Sequence, residues 1–205
     1  MKIKINNKEI EIREGETLFE ATSRNGFEIP ALCYVPGYRH QASCMVCVVK
    51  DCNTGLMIPA CSTVVVDGMQ IDSESEEVIE LRRQSLELLL SDHIAVCHPP
   101  CNTQQCKLRQ FVNSYRAKWN QFTRYSAIKP AAPQHIKEHL WFDVTKCIRC
   151  GLCVYNSKDG FTFKGKGFGM QVVLPEESMQ HVDASLWGIC PTQALYFSEQ
   201  NFHQD

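Results

Sequence analysis

A chain of 205 residues with 21 Lys and Arg against 23 Asp and Glu has a formal charge of −2, which excludes the strongly basic balance of a nucleic-acid-binding domain. A hydrophobic share of 44% excludes a disordered chain and fits one large or two to three small globular modules. The outlying count is twelve cysteines, above ordinary usage yet below a small disulfide scaffold.

The N-terminus decides between a disulfide and a metal reading of those cysteines. It opens on MKIKINNKEI, with no apolar h-region and no small-residue cleavage site, so no secretory signal is expected. No run of 18 apolar residues is present, so no membrane span is expected. The expected compartment is the cytoplasm, where many cysteines imply metal or redox chemistry.

In chain order, KIKI, Asn6-Asn7 and EIEI predict a β-hairpin around a short Asn turn. Thr17 and Glu20 have capping-box spacing ahead of LFEATSRNG, a predicted helix that Gly26 would close. A cysteine-bearing loop over 33–47 leads to the strand-like stretches VCVVKD and STVVVDGMQID. Hairpin, helix, loop and further strands predict a small β-grasp domain over 1–72. Acidic residues over 72–80 suit a helix N-terminus, and a helix is predicted over 78–93, packing through Leu81, Leu88 and Leu89. Beyond Cys106, the residues Leu108, Phe111, Val112, Tyr115, Trp119 and Phe122 recur at helical spacing. Residues 107–137 hold seven Lys or Arg and no acid. We read the aromatic stripe as packing and the basic residues as facing solvent or a partner, not nucleic acid. IKPAAPQ (128–134) reads as a linker. GKGFGM (165–170) follows no clear strand and opens no helix, so it reads as a surface hairpin or loop, not a dinucleotide fingerprint. The predicted modules are 1–72, 73–130 and 131–205, an α+β chain in three parts.

The cysteines form three constellations. The first is Cys33-x10-Cys44-x2-Cys47-x13-Cys61. Four thiolates suit a [2Fe–2S] cluster, and the Cys-x2-Cys pair brings two of them to metal from one turn. Zinc also takes four cysteines, but the β-grasp context favours iron. Cys52 is the spare, read as a small buried hydrophobe. The second is His93-x3-Cys97-x3-Cys101-x4-Cys106, three thiolates and an imidazole. These suit a [4Fe–4S] cluster, or a Cys3His zinc site. His98 is a rival ligand, set aside because it is adjacent to Cys97 and adjacent residues tend to point apart. The third is Cys147-x2-Cys150-x2-Cys153 closed by Cys190-Pro191. Three thiolates at this spacing wrap one face of a cubane and the distant Cys-Pro completes it. Zinc ribbons use two separated Cys-x2-Cys pairs instead.

In this order, the three constellations resemble the N-terminal region of the large iron–sulfur subunit of respiratory complex I. The same region fronts iron-only hydrogenases and occurs in diaphorase subunits of NAD-linked hydrogenases and formate dehydrogenases. The likeness covers nearly the whole chain and is carried by PALCYVPG, SCMVCVV, the span 93–106, KCIRCGLC and GICPTQAL. It implies one [2Fe–2S] cluster on Cys33, Cys44, Cys47 and Cys61. It implies a [4Fe–4S] cluster on His93, Cys97, Cys101 and Cys106, and another on Cys147, Cys150, Cys153 and Cys190. There are departures. The family's middle motif reads His-x3-Cys-x2-Cys-x5-Cys, and here the central cysteine is displaced by one while the span is unchanged. Ala42 and Met45 stand where the family often has Gly and Arg.

No phosphate-binding loop, Ser-His-Asp set or carboxylate pair stands out, so no substrate-converting site is expected in this chain. The expected role is an electron-transfer iron–sulfur subunit of a multi-subunit NAD(H)-linked oxidoreductase. It would relay electrons between a flavin/NAD(H)-binding subunit and a further redox or catalytic subunit. A free polyferredoxin is the alternative, disfavoured by a near-neutral charge. A zinc-stabilised interaction module is the third reading, which metal analysis separates from the other two.

Overall fold

A computed structural model of the protein describes residues 1–93, 105–118 and 132–198. Cys97, His98 and Cys101 of the middle constellation, and Trp119 and Phe122 of the aromatic stripe, lie outside the described residues.

The N-terminal part is a five-stranded mixed sheet. Strands β1 (Lys2–Ile5) and β2 (Lys8–Glu11) form the predicted hairpin, with Ile3 opposite Ile10 and Lys4 opposite Glu9. Asn6 and Asn7 both have positive φ, 47° and 66°, the type I′ turn whose twist matches the strands it joins. Alternation then buries Ile3, Ile5, Ile10 and Ile12. Strands β3 (Val48–Asp51), β4 (Met57–Pro59) and β5 (Gln70–Asp72) complete the order β2-β1-β5-β3-β4, with β5 parallel to β1.

Helix α1 (Leu18–Arg24) packs Leu18 and Ala21 onto this sheet. Its capping box is formed: Glu20 N–H donates to the Thr17 hydroxyl, and Thr17 N–H donates to the Glu20 carboxylate at 2.8 Å. Its end is a Schellman motif in which Gly26 closes the helix, as expected, from the position after the cap. Asn25 is the C-cap, Gly26 follows at φ +79°, and Phe27 N–H returns to Thr22 O. Thr17→Ala is expected to cost about 1 kcal/mol, read as a lower urea midpoint with an unchanged slope.

Two sequence expectations need correction here. The valines of STVVVDGMQID are not a strand: Val64 and Val66 are exposed, and only Gln70–Asp72 pairs as β5. The segment's backbone is tied to the start of α1 instead, by Leu18 N–H to Thr63 O and Val65 N–H to Glu16 O. Strand β4, by contrast, has no alternating signal of its own and forms because β3 offers it an edge.

Helix α2 (Glu76–Asp92) buries Val78, Arg82, Leu86 and Leu90, a face that recurs every four residues. Of the leucines expected to pack, Leu89 packs against the apolar cluster and Leu81 is half-buried, but Leu88 is 55% exposed. Arg82 ties several elements together. Its Nε and Nη2 donate to Val48 O at 3.1 and 2.8 Å, and its Nη1 to Ser73 O at 3.0 Å and the Tyr115 hydroxyl at 3.3 Å. Helix α3 (Lys107–Ser114) buries Leu108 and Val112.

The C-terminal part has a three-stranded sheet, β6 (Gln134–Lys137), β7 (Leu140–Phe142) and β10 (Leu195–Phe197), in the order β10-β7-β6. It also has a β8 (Thr162–Lys164) and β9 (Gln171–Val173) hairpin. Residues 165–170 form that hairpin's loop, as expected for the glycine-rich stretch. A short helix α4 (Leu152–Asn156) lies between the last cysteines. Phe142, Leu152, Phe161, Leu186 and Leu195 form the core of this part. No described helix is long and apolar enough to cross a membrane.

Candidate metal centres

The first constellation closes into one site. Cys33, Cys44, Cys47 and Cys61 are all buried, and their thiols touch: Cys33 with Cys44 and Cys61, and Cys47 with Cys61. The loop over 33–47 supplies three of them because it folds back on itself through left-handed residues at Ala42 (φ 49°) and Met45 (φ 54°). Sheet strand β4 delivers the fourth: Ala60 N–H donates to Cys47 O at 3.1 Å, which places Cys61 beside Cys47. Backbone N–H groups of Ser43 and Cys44 point at the Cys33 sulfur, and those of Leu32 and Val46 at Cys44.

Such crowding sets the thiols against one another. Hydrogen bonds from Cys44 and Cys61 push Cys33 down, and Cys61 does the same for Cys47. Cys44 and Cys61 are pushed up, chiefly by the thiols they bond and then by burial. Four sulfurs in this space cannot all be charged without cations among them. The donor set fits an iron–sulfur cluster: four buried thiols with N–H groups directed at sulfur. The thiol contacts run in one continuous series, Cys44 to Cys33 to Cys61 to Cys47.

The third constellation closes as well. Cys147, Cys150, Cys153 and Cys190 line one cavity with Phe142, Ile148, Leu152, Val172, Leu186 and Leu195. Every sulfur receives a backbone N–H. Arg149 donates to Cys147 at 3.3 Å and Leu195 to Cys190 at 3.4 Å, while Leu152 serves Cys150 and Val154 serves Cys153. Burial pushes the Cys147 thiol up to about 12 and those of Cys150 and Cys153 well above the ordinary thiol range. A bare thiolate is therefore disfavoured here, while a metal-bound sulfur accepting these N–H groups is favoured.

The turn between Cys150 and Cys153 depends on Gly151. It sits at φ +79°, and a Cβ there would lie 2.6 Å from the Tyr155 ring. Gly151→Ala is expected to cost about 2 kcal/mol and to lower the share of chains that load the third site, measured by urea unfolding and by iron per chain.

Of the middle constellation, the described residues include His93 and Cys106. His93 is the C-cap of α2 and Cys106 the N-cap of α3, and both are buried. Burial, opposed by the charge of Asp143, lowers the His93 imidazolium to about 4. The ring is therefore neutral near pH 7, as a metal-ligating imidazole must be. Cys52 is exposed, not the buried hydrophobe expected, because it sits in the turn after β3.

The parts bearing these sites interlock. Cys33, Cys44 and Cys106 share one buried apolar cluster with Leu86, Leu90 and Ile148, and Cys150 packs against it. Lys107 N–H donates to Pro191 O at 2.8 Å, joining the residues that follow Cys106 and Cys190. The loop over 33–47 docks on α4: Arg39 N–H donates to Asn156 Oδ1 at 2.9 Å, Asn156 Nδ2 to Arg39 O at 2.8 Å, and the Tyr155 hydroxyl to Gln41 at 2.6 Å. The sequence gives no sign of these sulfur-directed N–H groups or of the buried state of Arg82, which reads like its exposed-type neighbour Arg83.

A ferredoxin-like domain carrying a four-cysteine site is what the fold and geometry define for the N-terminal part. Residues 1–76 match the model of the 2Fe-2S iron-sulfur cluster binding domain. Over 203 residues the chain is 30% identical to an NADH-quinone oxidoreductase subunit of Rhizobium meliloti, covering 95% of this chain and 24% of that one. It is 26% identical to the gamma subunit of the NAD-reducing hydrogenase HoxS of Cupriavidus necator, covering 95% of this chain and 81% of that protein. Among solved structures, that of an NAD+-reducing [NiFe]-hydrogenase in the H2-reduced state aligns with a TM-score of 0.84 at 26% identity, over 100% of this chain and 90% of that one. The chain spans about a quarter of the length of its Rhizobium meliloti relative. The resemblance drawn from the cysteine pattern holds: this chain is similar to subunits of NADH-quinone oxidoreductase and of NAD-reducing hydrogenase, and its first 76 residues are a 2Fe–2S ferredoxin-like domain.

Proposed function

We propose that the chain is an electron-wiring subunit holding one [2Fe–2S] and two [4Fe–4S] clusters. Cys33, Cys44, Cys47 and Cys61 bind the first, His93, Cys97, Cys101 and Cys106 the second, and Cys147, Cys150, Cys153 and Cys190 the third. The modules are 1–72, 73–130 and 131–205. In the cytoplasm it passes electrons between a flavin/NAD(H)-binding subunit and a further redox or catalytic subunit. The carrying observation is the shared apolar cluster in which ligands of all three sets meet.

Two further contacts support a relay among neighbouring sites: Cys33 lies within electrostatic range of Cys150, and Lys107 N–H, beside Cys106, donates to Pro191 O, beside Cys190.

A zinc ion holds its thiolates at about 2.3 Å from one point, whereas a cluster spreads them over several irons, and metal analysis separates the two. Anaerobically purified protein is expected to be brown, with about ten irons per chain, two in one cluster and four in each of two others. Zinc with no iron, or about four irons per chain, overturns the three-cluster reading.

A further inference from the structure

Arg82 is buried to 3% exposure, yet every group it bonds is neutral: two backbone carbonyls and the Tyr115 hydroxyl. Among the described residues no carboxylate pairs with it. Asp72 accepts from the N–H groups of Glu74 and Ser75, Glu77 pairs with Lys50, and the buried Glu87 accepts from Lys118 N–H. A guanidinium buried among neutral dipoles is strongly disfavoured unless an opposite charge lies close by. Arg82 adjoins the first site through the backbone it holds. Its fork holds Val48 O, the carbonyl one residue past Cys47. Leu86 and Leu90, one and two turns further along the same face of α2, pack in the cluster that contains Cys33 and Cys44.

We propose that Arg82 is the counter-charge of the first iron–sulfur site and the residue that holds the Cys47 strand beneath it. The inference rests on the four-thiolate reading of that site. Four thiolates leave the loaded site with net negative charge, and one-electron reduction adds another. A fixed cation nearby stabilises the reduced form more than the oxidised one, so it raises the midpoint potential. Arg82 acts through charge and through the Val48 carbonyl, without touching iron: it is a positioning residue.

The test is a dithionite redox titration of the iron-loaded full chain, followed by electron paramagnetic resonance. Arg82→Gln keeps a donor for Val48 O and removes the charge; Arg82→Lys keeps the charge and loses the fork. The expected result is a lower midpoint for the [2Fe–2S] signal in Arg82→Gln, a parent-like midpoint in Arg82→Lys, and an unmoved third-site midpoint in both. If Arg82→Gln does not load iron, Arg82→Met, which keeps the bulk and removes the charge, takes its place: a lowered midpoint supports the charge role, and a parent-like one overturns it. Both variants losing stability to urea with an unshifted [2Fe–2S] midpoint would reduce Arg82 to a strut and overturn the proposal. If the unmodified protein lacks a [2Fe–2S] signal, the cluster reading itself fails, a result distinct from failure of the Arg82 inference.

Discussion

Cys47→Ser is expected to remove about two irons per chain and the whole [2Fe–2S] electron paramagnetic resonance signal. Cys47 is buried against Cys61, at the junction between the cysteine loop and β3. A serine hydroxyl there is a poor iron ligand and would leave Cys61 with only one of its two thiol partners, Cys33. Cys52→Ser is expected to change neither iron nor signal, because Cys52 is exposed in the turn beyond β3 and contacts none of the four site thiols. Iron analysis beside spectra at low temperature checks both. Loss of the signal in Cys52→Ser with retention in Cys47→Ser would exchange their roles.

His93→Ala is expected to remove about four irons per chain, those of the middle cluster, while the other two signals persist. His93 is buried at the end of α2, and burial keeps its imidazole neutral near pH 7. A neutral nitrogen draws less negative charge onto the cluster than a thiolate does. His93→Cys should therefore keep a [4Fe–4S] cluster but lower its midpoint potential, read by redox titration. His98→Ala should leave iron content as it is. Loss of the cluster in His98→Ala alone would transfer the ligand role to His98.

The chain's cysteine spacing already separated the sites. Cys147, Cys150 and Cys153 lie on one turn and the following short helix, so their grouping is a local matter. The hairpin and the capped helix α1 were also legible, since Asn6-Asn7 and Thr17…Glu20 act over four residues or fewer. Local rules failed where the partner was distant. Val64 and Val66 have strand-like character, but their segment makes a single bridge, Val64 opposite Thr17, and bonds the start of α1 in place of a sheet strand. The buried face of α2 runs through Val78, Arg82, Leu86 and Leu90 because the elements packed on it, β3 and α3, lie on that side. No periodicity in a leucine-rich run could choose among Leu86, Leu88 and Leu89.

What the sequence determined by itself was the set of donors: which thiols and which imidazole exist, and how many can reach one point from one short loop. What only the tertiary structure decided was their environment. The burial that keeps His93 neutral and the placing of Arg82 on Val48 O come from segments far apart in the chain, whereas the N–H groups on Cys147, Cys150 and Cys153 come from one or two residues away. The contact of Cys33, Cys106 and Cys150 around one apolar cluster also joins distant segments. The physical reason is range. Ligand spacing is set by chain geometry over a few residues, whereas electrostatics and burial sum over everything that folding brings near.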